Sequence, residues 1–130
     1  MIYNNFTITD CLGGHAFNQS GLFTPEHEKF ILTVKIKNNK TGKKYTRNTF
    51  SQYAPKYTSF KNGDGILAIV LDALAYSSTG NIDSFINEFG YEDRQKAAQA
   101  FYSCEKSYNF FINAGLQEED LSAIQERLDR

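Results

Sequence analysis

From Phe30 to Lys37 the chain alternates. Phe30, Leu32, Val34 and Ile36 share one parity, while Ile31, Thr33, Lys35 and Lys37 share the other. A period of two with one apolar side predicts a half-buried strand. Asn38-Asn39-Lys40-Thr41-Gly42 follows as a turn in which Gly42 can take positive φ, and Lys43 to Phe50 returns as the second strand of a hairpin over residues 30–50. Tyr3 to Thr9 alternates more weakly and predicts one further strand. Residues 11–24 break the pattern with Gly13-Gly14 and Ser20-Gly21, and Pro25 follows, so this stretch reads as irregular and residues 11–27 receive no role. Residues 51–63, with Pro55 inside, read as a connecting loop.

After residue 63 the period changes from two to 3.6. Asp64 is placed to cap a helix whose stripe is Leu67, Val70, Leu71 and Leu74, ending at Ser77-Ser78-Thr79-Gly80. Asn81 can cap a short helix carrying Ile82, Phe85, Ile86 and Phe89, closed by Gly90. From Asp93 to Asn113, Ala97, Phe101, Cys104, Tyr108 and Phe111 recur at steps of four and three, one face of a long helix that Gly115 terminates. Glu118-Glu119-Asp120 then precede Leu121, Ile124 and Leu128, acids where a helix start favours them, and Arg127 and Arg130 complement the other end. Strands first and helices afterwards predict an α+β domain spanning 1–130: a small antiparallel sheet, 1–50 mainly β, packed against three to four helices, 64–130 mainly α.

Composition adds limits. Phe, Ile, Leu and Val make up 32 of 130 residues, enough for a core at this length without disulfides or metals. The two cysteines, Cys11 and Cys104, do not make the framework of a small secreted scaffold. The first residues lack the basic and apolar stretches of a secretion signal, and the apolar run from Gly65 to Ala75 is interrupted by Asp72 and too short to cross a bilayer. The expected location is therefore cytoplasmic, with no membrane partner.

Net charge is −1, but it is unevenly spread. Residues 1–62 hold nine Lys and Arg against three Asp and Glu, a balance of +6; residues 63–130 hold five against twelve, a balance of −7. Two oppositely charged surfaces follow if the halves fold onto different sides. The first half suggests nucleic acid: Lys35, Lys37, Lys43, Lys44 and Arg47 crowd the hairpin, with Tyr45, Tyr53, Tyr57 and Phe60 interleaved or following, as in grooves where cations track phosphates and rings stack on bases. Lysine on an exposed strand also guards against aggregation. The second half suggests a basic protein surface as partner, contacted by Glu88, Glu92, Asp93, Glu118, Glu119 and Asp120. Acids at helix starts also serve the helix itself.

No motif specifies a reaction. Cys11, His15, His27 and Cys104 lack the spacing of a zinc site. Leu12-Gly13-Gly14-His15 and Asn62-Gly63-Asp64-Gly65 lack the residues of a phosphate-binding loop, and Asp64 lacks the spaced carboxylates of a calcium loop. No catalytic group, metal or cofactor is expected.

The segments Asp64–Tyr76, Asp83–Tyr91, Arg94–Ala97 and Tyr102–Cys104 resemble small early-region proteins of bacteriophages and mobile elements. In that group a Y-T-x-x-F-S stretch precedes helices bearing S-F-x-x-F-x-x-F-G-Y; Tyr45-Thr46-Arg47-Asn48-Thr49-Phe50-Ser51 is similar to the first with one residue more, and Asp83-Ser84-Phe85-Ile86-Asn87-Glu88-Phe89-Gly90-Tyr91 resembles the second. Glu92-Asp93 stands where the group has Asp-Ser. The resemblance covers about residues 42–112 and implies a phage or mobile-element origin. Small phage proteins without catalytic motifs often occupy a surface of a host defence complex, and the chain is similar in size and class to anti-CRISPR proteins. The resemblance thus implies a non-enzymatic inhibitor of a CRISPR-Cas effector, a protein or ribonucleoprotein partner, acting in the bacterial cytoplasm as a monomer or dimer. The alternative expectation is a phage-encoded accessory protein binding single-stranded nucleic acid through the hairpin lysines and Arg47.

Overall fold

The computed structural model describes residues 1–16, 29–49 and 63–129, apart from the side chains of residues 12–16 and 29–31. Phe50, the predicted loop before Gly63, and His27 lie outside the described residues. Four strands, β1 (Ile2–Tyr3), β2 (Phe6–Ala16), β3 (Lys29–Asn38) and β4 (Lys44–Thr49), precede four helices, α1 (Asp64–Thr79), α2 (Ile82–Phe89), α3 (Arg94–Asn113) and α4 (Glu118–Leu128). The strands form one antiparallel sheet in the order β1-β2-β3-β4. The α+β expectation holds.

The hairpin forms as its alternation predicts. Asn38 Oδ1 accepts from the backbone N–H groups of Lys40 (3.0 Å) and Thr41 (3.2 Å), and Gly42 sits at φ 77°, a region costly for any residue with a Cβ. Residues 11–16 correct the expectation of irregular chain: β2 continues through the two glycines to Ala16, its register shifting between Gly13 and His15. Gly13-Gly14 marks a bulge inside a strand, not the end of one.

The pairing assigns each residue a face. Ile8, Leu32, Val34 and Ile36 point inward and are buried, with Phe6, Tyr3 and Tyr45 packed beside them. All four helices lie on the inner side. α1 is the central one, touching α3, α4, β2 and β3. It is buried nearly all round, including Ile66, Ala68, Ile69, Val70 and Ala73, so the predicted narrow stripe is too narrow; of its members Leu71 and Leu74 are only half-buried. A helix enclosed on most sides needs apolar residues on most sides.

α2 leaves α1 at 118° across Gly80-Asn81. Asn81 caps it as predicted, its Oδ1 accepting from Ser84 N at 2.9 Å, and Gly90 closes it at φ 70°. A second core forms there from Ala75, Phe85, Phe101 and Cys104. Phe85 meets Phe101 edge-on at 5.4 Å and stacks on Tyr91 at 5.5 Å, geometries that aromatic quadrupoles favour. On α3 the stripe is Ala97, Phe101, Cys104, Ser107 and Phe111; Tyr108, expected on it, is half-buried at its edge. Among the described residues, no single helix is long and apolar enough to cross a membrane.

Candidate interaction surfaces

The layer order separates the charges. Alternate residues Thr7, Thr9 and Cys11 of β2, Thr33, Lys35 and Lys37 of β3, and Lys44, Thr46 and Asn48 of β4 share the sheet's outer face, away from every helix. The only charged groups among the described side chains of that face are lysines. Lys37 pairs directly with Lys44, and Lys35 with Thr46. A shallow cavity of about 300 Å³ runs between Thr7, Thr9, Lys35, Lys37, Lys44 and Thr46. Lys43 lies exposed beside the turn.

Arg47 does not join this group. Its parity turns it inward, under α3, where Nε donates to Ser107 Oγ (3.0 Å) and Nη2 to the Ser103 carbonyl (3.1 Å) and Thr49 Oγ1 (3.2 Å). Burial lowers its pKa, while the charge of buried Asp72 on α1 acts in the opposite sense. Arg47 is thus a cation that ties β4 to the helices. Tyr45, the aromatic neighbour, also points inward and packs on the core.

On the helical side the six acids do not form one cluster. Glu88 and Glu118 line one groove of about 430 Å³ between α1, α2 and α4, with Leu71, Leu74 and Phe89 in its wall. Glu118 and Glu119 line a neighbouring hollow of about 420 Å³ with Tyr108 and Ile112. Glu118 also accepts from Ser77 Oγ and from the Tyr108 hydroxyl (3.5 Å), and burial together with its charge raises the Tyr108 pKa. Glu92 and Asp93 sit in the α2–α3 turn and line neither hollow; Asp93 caps α3 through Gln95 N (2.9 Å) and Lys96 N (3.3 Å). Asp120 closes a capping box, accepting from Gln117 N at 2.8 Å, and also accepts from the Tyr3 hydroxyl at 3.3 Å. The structure therefore brings Glu88, Glu118 and Glu119 to adjoining hollows and employs Asp93 and Asp120 in holding helices.

Asp64 corrects another expectation. It is the first residue of α1, the N-cap position belonging to Gly63 at φ 97°. The capping carboxylate comes from the sheet: Asp10 Oδ2 accepts from Ile66 N at 3.0 Å, and Oδ1 from Gly63 N at 3.4 Å. A strand residue thus supplies what a local cap would have, and favours the positive end of the helix dipole.

The cysteines are far from equivalent. Cys11 is exposed on the outer face of the sheet, whereas Cys104 is buried in the second core. Among the described residues, no group of three or more His, Cys, Asp or Glu could hold a metal ion. Burial, and then the charge of Asp72, push the Cys104 thiol far up, with Arg47 pulling the other way. The folded chain keeps that proton while an unfolded thiol loses it above about pH 8.5, so the stabilisation is complete below that pH and declines as pH rises, by about 1.4 kcal/mol per unit. Between pH 8.5 and 10, urea midpoints should fall along this slope and flatten in Cys104→Ala. At pH 8, a thiol reagent should modify Cys11 alone in the native protein and reach Cys104 only on unfolding.

No family model, curated protein or solved structure matches the chain.

Proposed function

We propose that the chain is a binding protein of phage or mobile-element origin that inhibits a host defence complex, most specifically a CRISPR-Cas effector, without catalysis. What supports the reading is the placement of charge. The acidic groove with Glu88 and Glu118 opens on the helical side, and the lysines face the other way. An apolar wall of Leu71, Leu74 and Phe89 beside two carboxylates complements a basic surface that carries some apolar groups, such as the rim of a nucleic-acid channel. Opposed potentials orient such an encounter and speed it. A partner of this kind puts the chain in the cytoplasm of the bacterial host.

The reading is tested with purified effector ribonucleoproteins and a tagged copy of the chain. Wild type should retain an effector and block its binding to target DNA. Glu88→Lys with Glu118→Lys should lower that affinity at least tenfold, whereas Asp83→Lys, a change at an exposed acid beside Arg94 and outside the groove, should leave it near wild type. Asp120 is unsuited to this test because reversing it breaks the α4 capping box. Failure to retain any effector type, or retention indifferent to the groove reversals, would reject the proposal.

A further inference from the structure

We infer that the outer face of the sheet is a docking surface for duplex nucleic acid, which it contacts through the phosphates alone. The inference stands on observations separate from the acidic groove. The first is register. Lys37 and Lys44 are direct cross-strand partners, and like charges placed opposite each other oppose folding. A third lysine, Lys35, stands one outward position along β3 from Lys37, about 7 Å away. Protection of a sheet edge accounts for Lys44 on β4, but Lys35 and Lys37 belong to an internal strand flanked by β2 and β4.

The second observation is what surrounds the lysines. Thr9 and Thr46 line the same shallow cavity and bring hydroxyl donors beside the ammonium groups, while the Thr7 hydroxyl at its margin is paired with the Asn39 side chain. Phosphate oxygens accept from both. An anion bridging Lys37 and Lys44 would relieve their repulsion, which makes the facing register favourable in the complex.

The third observation selects the kind of nucleic acid. Sheets that hold single strands stack splayed bases on exposed rings. Here the aromatic residues described on the strands, Tyr3, Phe6 and Tyr45, all lie on the inner side, packed against the core. A duplex keeps its bases stacked in itself and offers only its backbone to a face of cations and hydroxyls. Binding of that kind is independent of sequence and steeply dependent on salt.

Fluorescence anisotropy of a labelled 20-base-pair DNA duplex with the full chain tests this. Three neutralised phosphates predict an affinity falling about 40-fold between 50 and 200 mM salt. Lys35→Gln/Lys37→Gln/Lys44→Gln should bind at least tenfold more weakly at 50 mM salt, with a flattened salt dependence. Lys44→Glu should also bind weakly, yet its Tm should rise by about 2 °C because an opposite-charge pair replaces a repelling one. Weak binding with a held or raised Tm cannot be ascribed to misfolding. Absence of duplex binding at 50 mM salt, binding unchanged by the triple substitution, tighter binding to a 20-nucleotide oligo-dT strand, or binding to phosphatidylserine vesicles in place of the duplex would each overturn the inference. Effector capture through the acidic groove can fail while duplex binding holds, and the converse.

Discussion

Replacing Gly65 by alanine should destabilise the protein by about 3 kcal/mol, although alanine is the better helix former by about 1 kcal/mol. Gly65 lies in the first turn of α1, facing Leu32 and Asp10 of the sheet at close range. A Cβ there would sit 2.5 Å from Leu32 Cδ1, 2.8 Å from Asp10 Oδ2 and 3.1 Å from Asp10 Cβ. Leu32 is fully buried among Ile8, Val34 and other core residues, so it has little room to withdraw. Asp10 cannot withdraw without releasing the N–H groups of Gly63 and Ile66. Overpacking and a lost cap therefore add, at roughly 1–3 and 0.5–2 kcal/mol, and outweigh the gain in propensity. Urea unfolding should show the midpoint lowered by about 1.5–2 M. Asp10→Ala, which loses the cap without the clash, should show a smaller drop, and Gly65→Ala in the Asp10→Ala background should cost less than in wild type because one of the two colliding groups is gone. Equal costs in both backgrounds would show that Asp10 takes no part in the close approach.

Much of this fold was legible in the sequence because its elements obey local rules. The 30–50 hairpin follows from alternation plus the Asn38–Gly42 turn, and α2 from Asn81 and Gly90, whose roles are set within a few residues. The failures share one cause: a partner distant in sequence. Asp64 is of a residue type that caps helices locally, but Gly63 takes the N-cap position and Asp10 reaches that helix end from 56 residues away, as measured to Ile66. β2 runs through Gly13-Gly14 because β3 supplies a ladder that local propensity does not register. A signal for Asp10 did exist. It shares the parity of Phe6 and Ile8, so the alternation itself places a carboxylate on the buried face, where it requires a partner.

The candidate surfaces were legible as composition and not as places. Counting charges on either side of residue 62 finds the imbalance, and the two-layer architecture turns it into opposite faces. Which acids meet was hidden, because Glu88 and Glu118 belong to helices joined only through the packing of α1, α2 and α4. Arg47 could have been separated from Lys44 by parity alone. It alternates with Lys44 and Thr46 and falls with Tyr45 and Thr49 in any register, and the pairing of Arg47 with Val34 and of Lys44 with Lys37 decides which set faces inward. A one-residue slip would reverse every such assignment, and the hairpin turn is what prevents it.

Arg47→Met should be the other severe change, at about 2–3 kcal/mol. The substitution keeps most of the apolar stem but removes the donors to Ser107 Oγ, the Ser103 carbonyl and Thr49 Oγ1. It also removes the positive charge that acts with Asp72, a carboxylate only 1% exposed in the middle of α1. Breaking a fully buried charge pair costs about 3–5 kcal/mol, and the half-exposed position of Arg47 argues for less. Asp72→Leu alone should also destabilise, because it strands the guanidinium against α3. Joining the two, Arg47→Met with Asp72→Leu, should recover stability relative to Arg47→Met, since no uncompensated charge then remains in the core. The cycle is read from urea midpoints of the four proteins at pH 7. Losses that simply add would mean that the two charges do not act on each other, and that Arg47 holds β4 to α3 by its hydrogen bonds alone. In either case duplex binding should survive Arg47→Met in the protein that remains folded, because the guanidinium lies on the opposite side of the sheet from Lys35, Lys37 and Lys44.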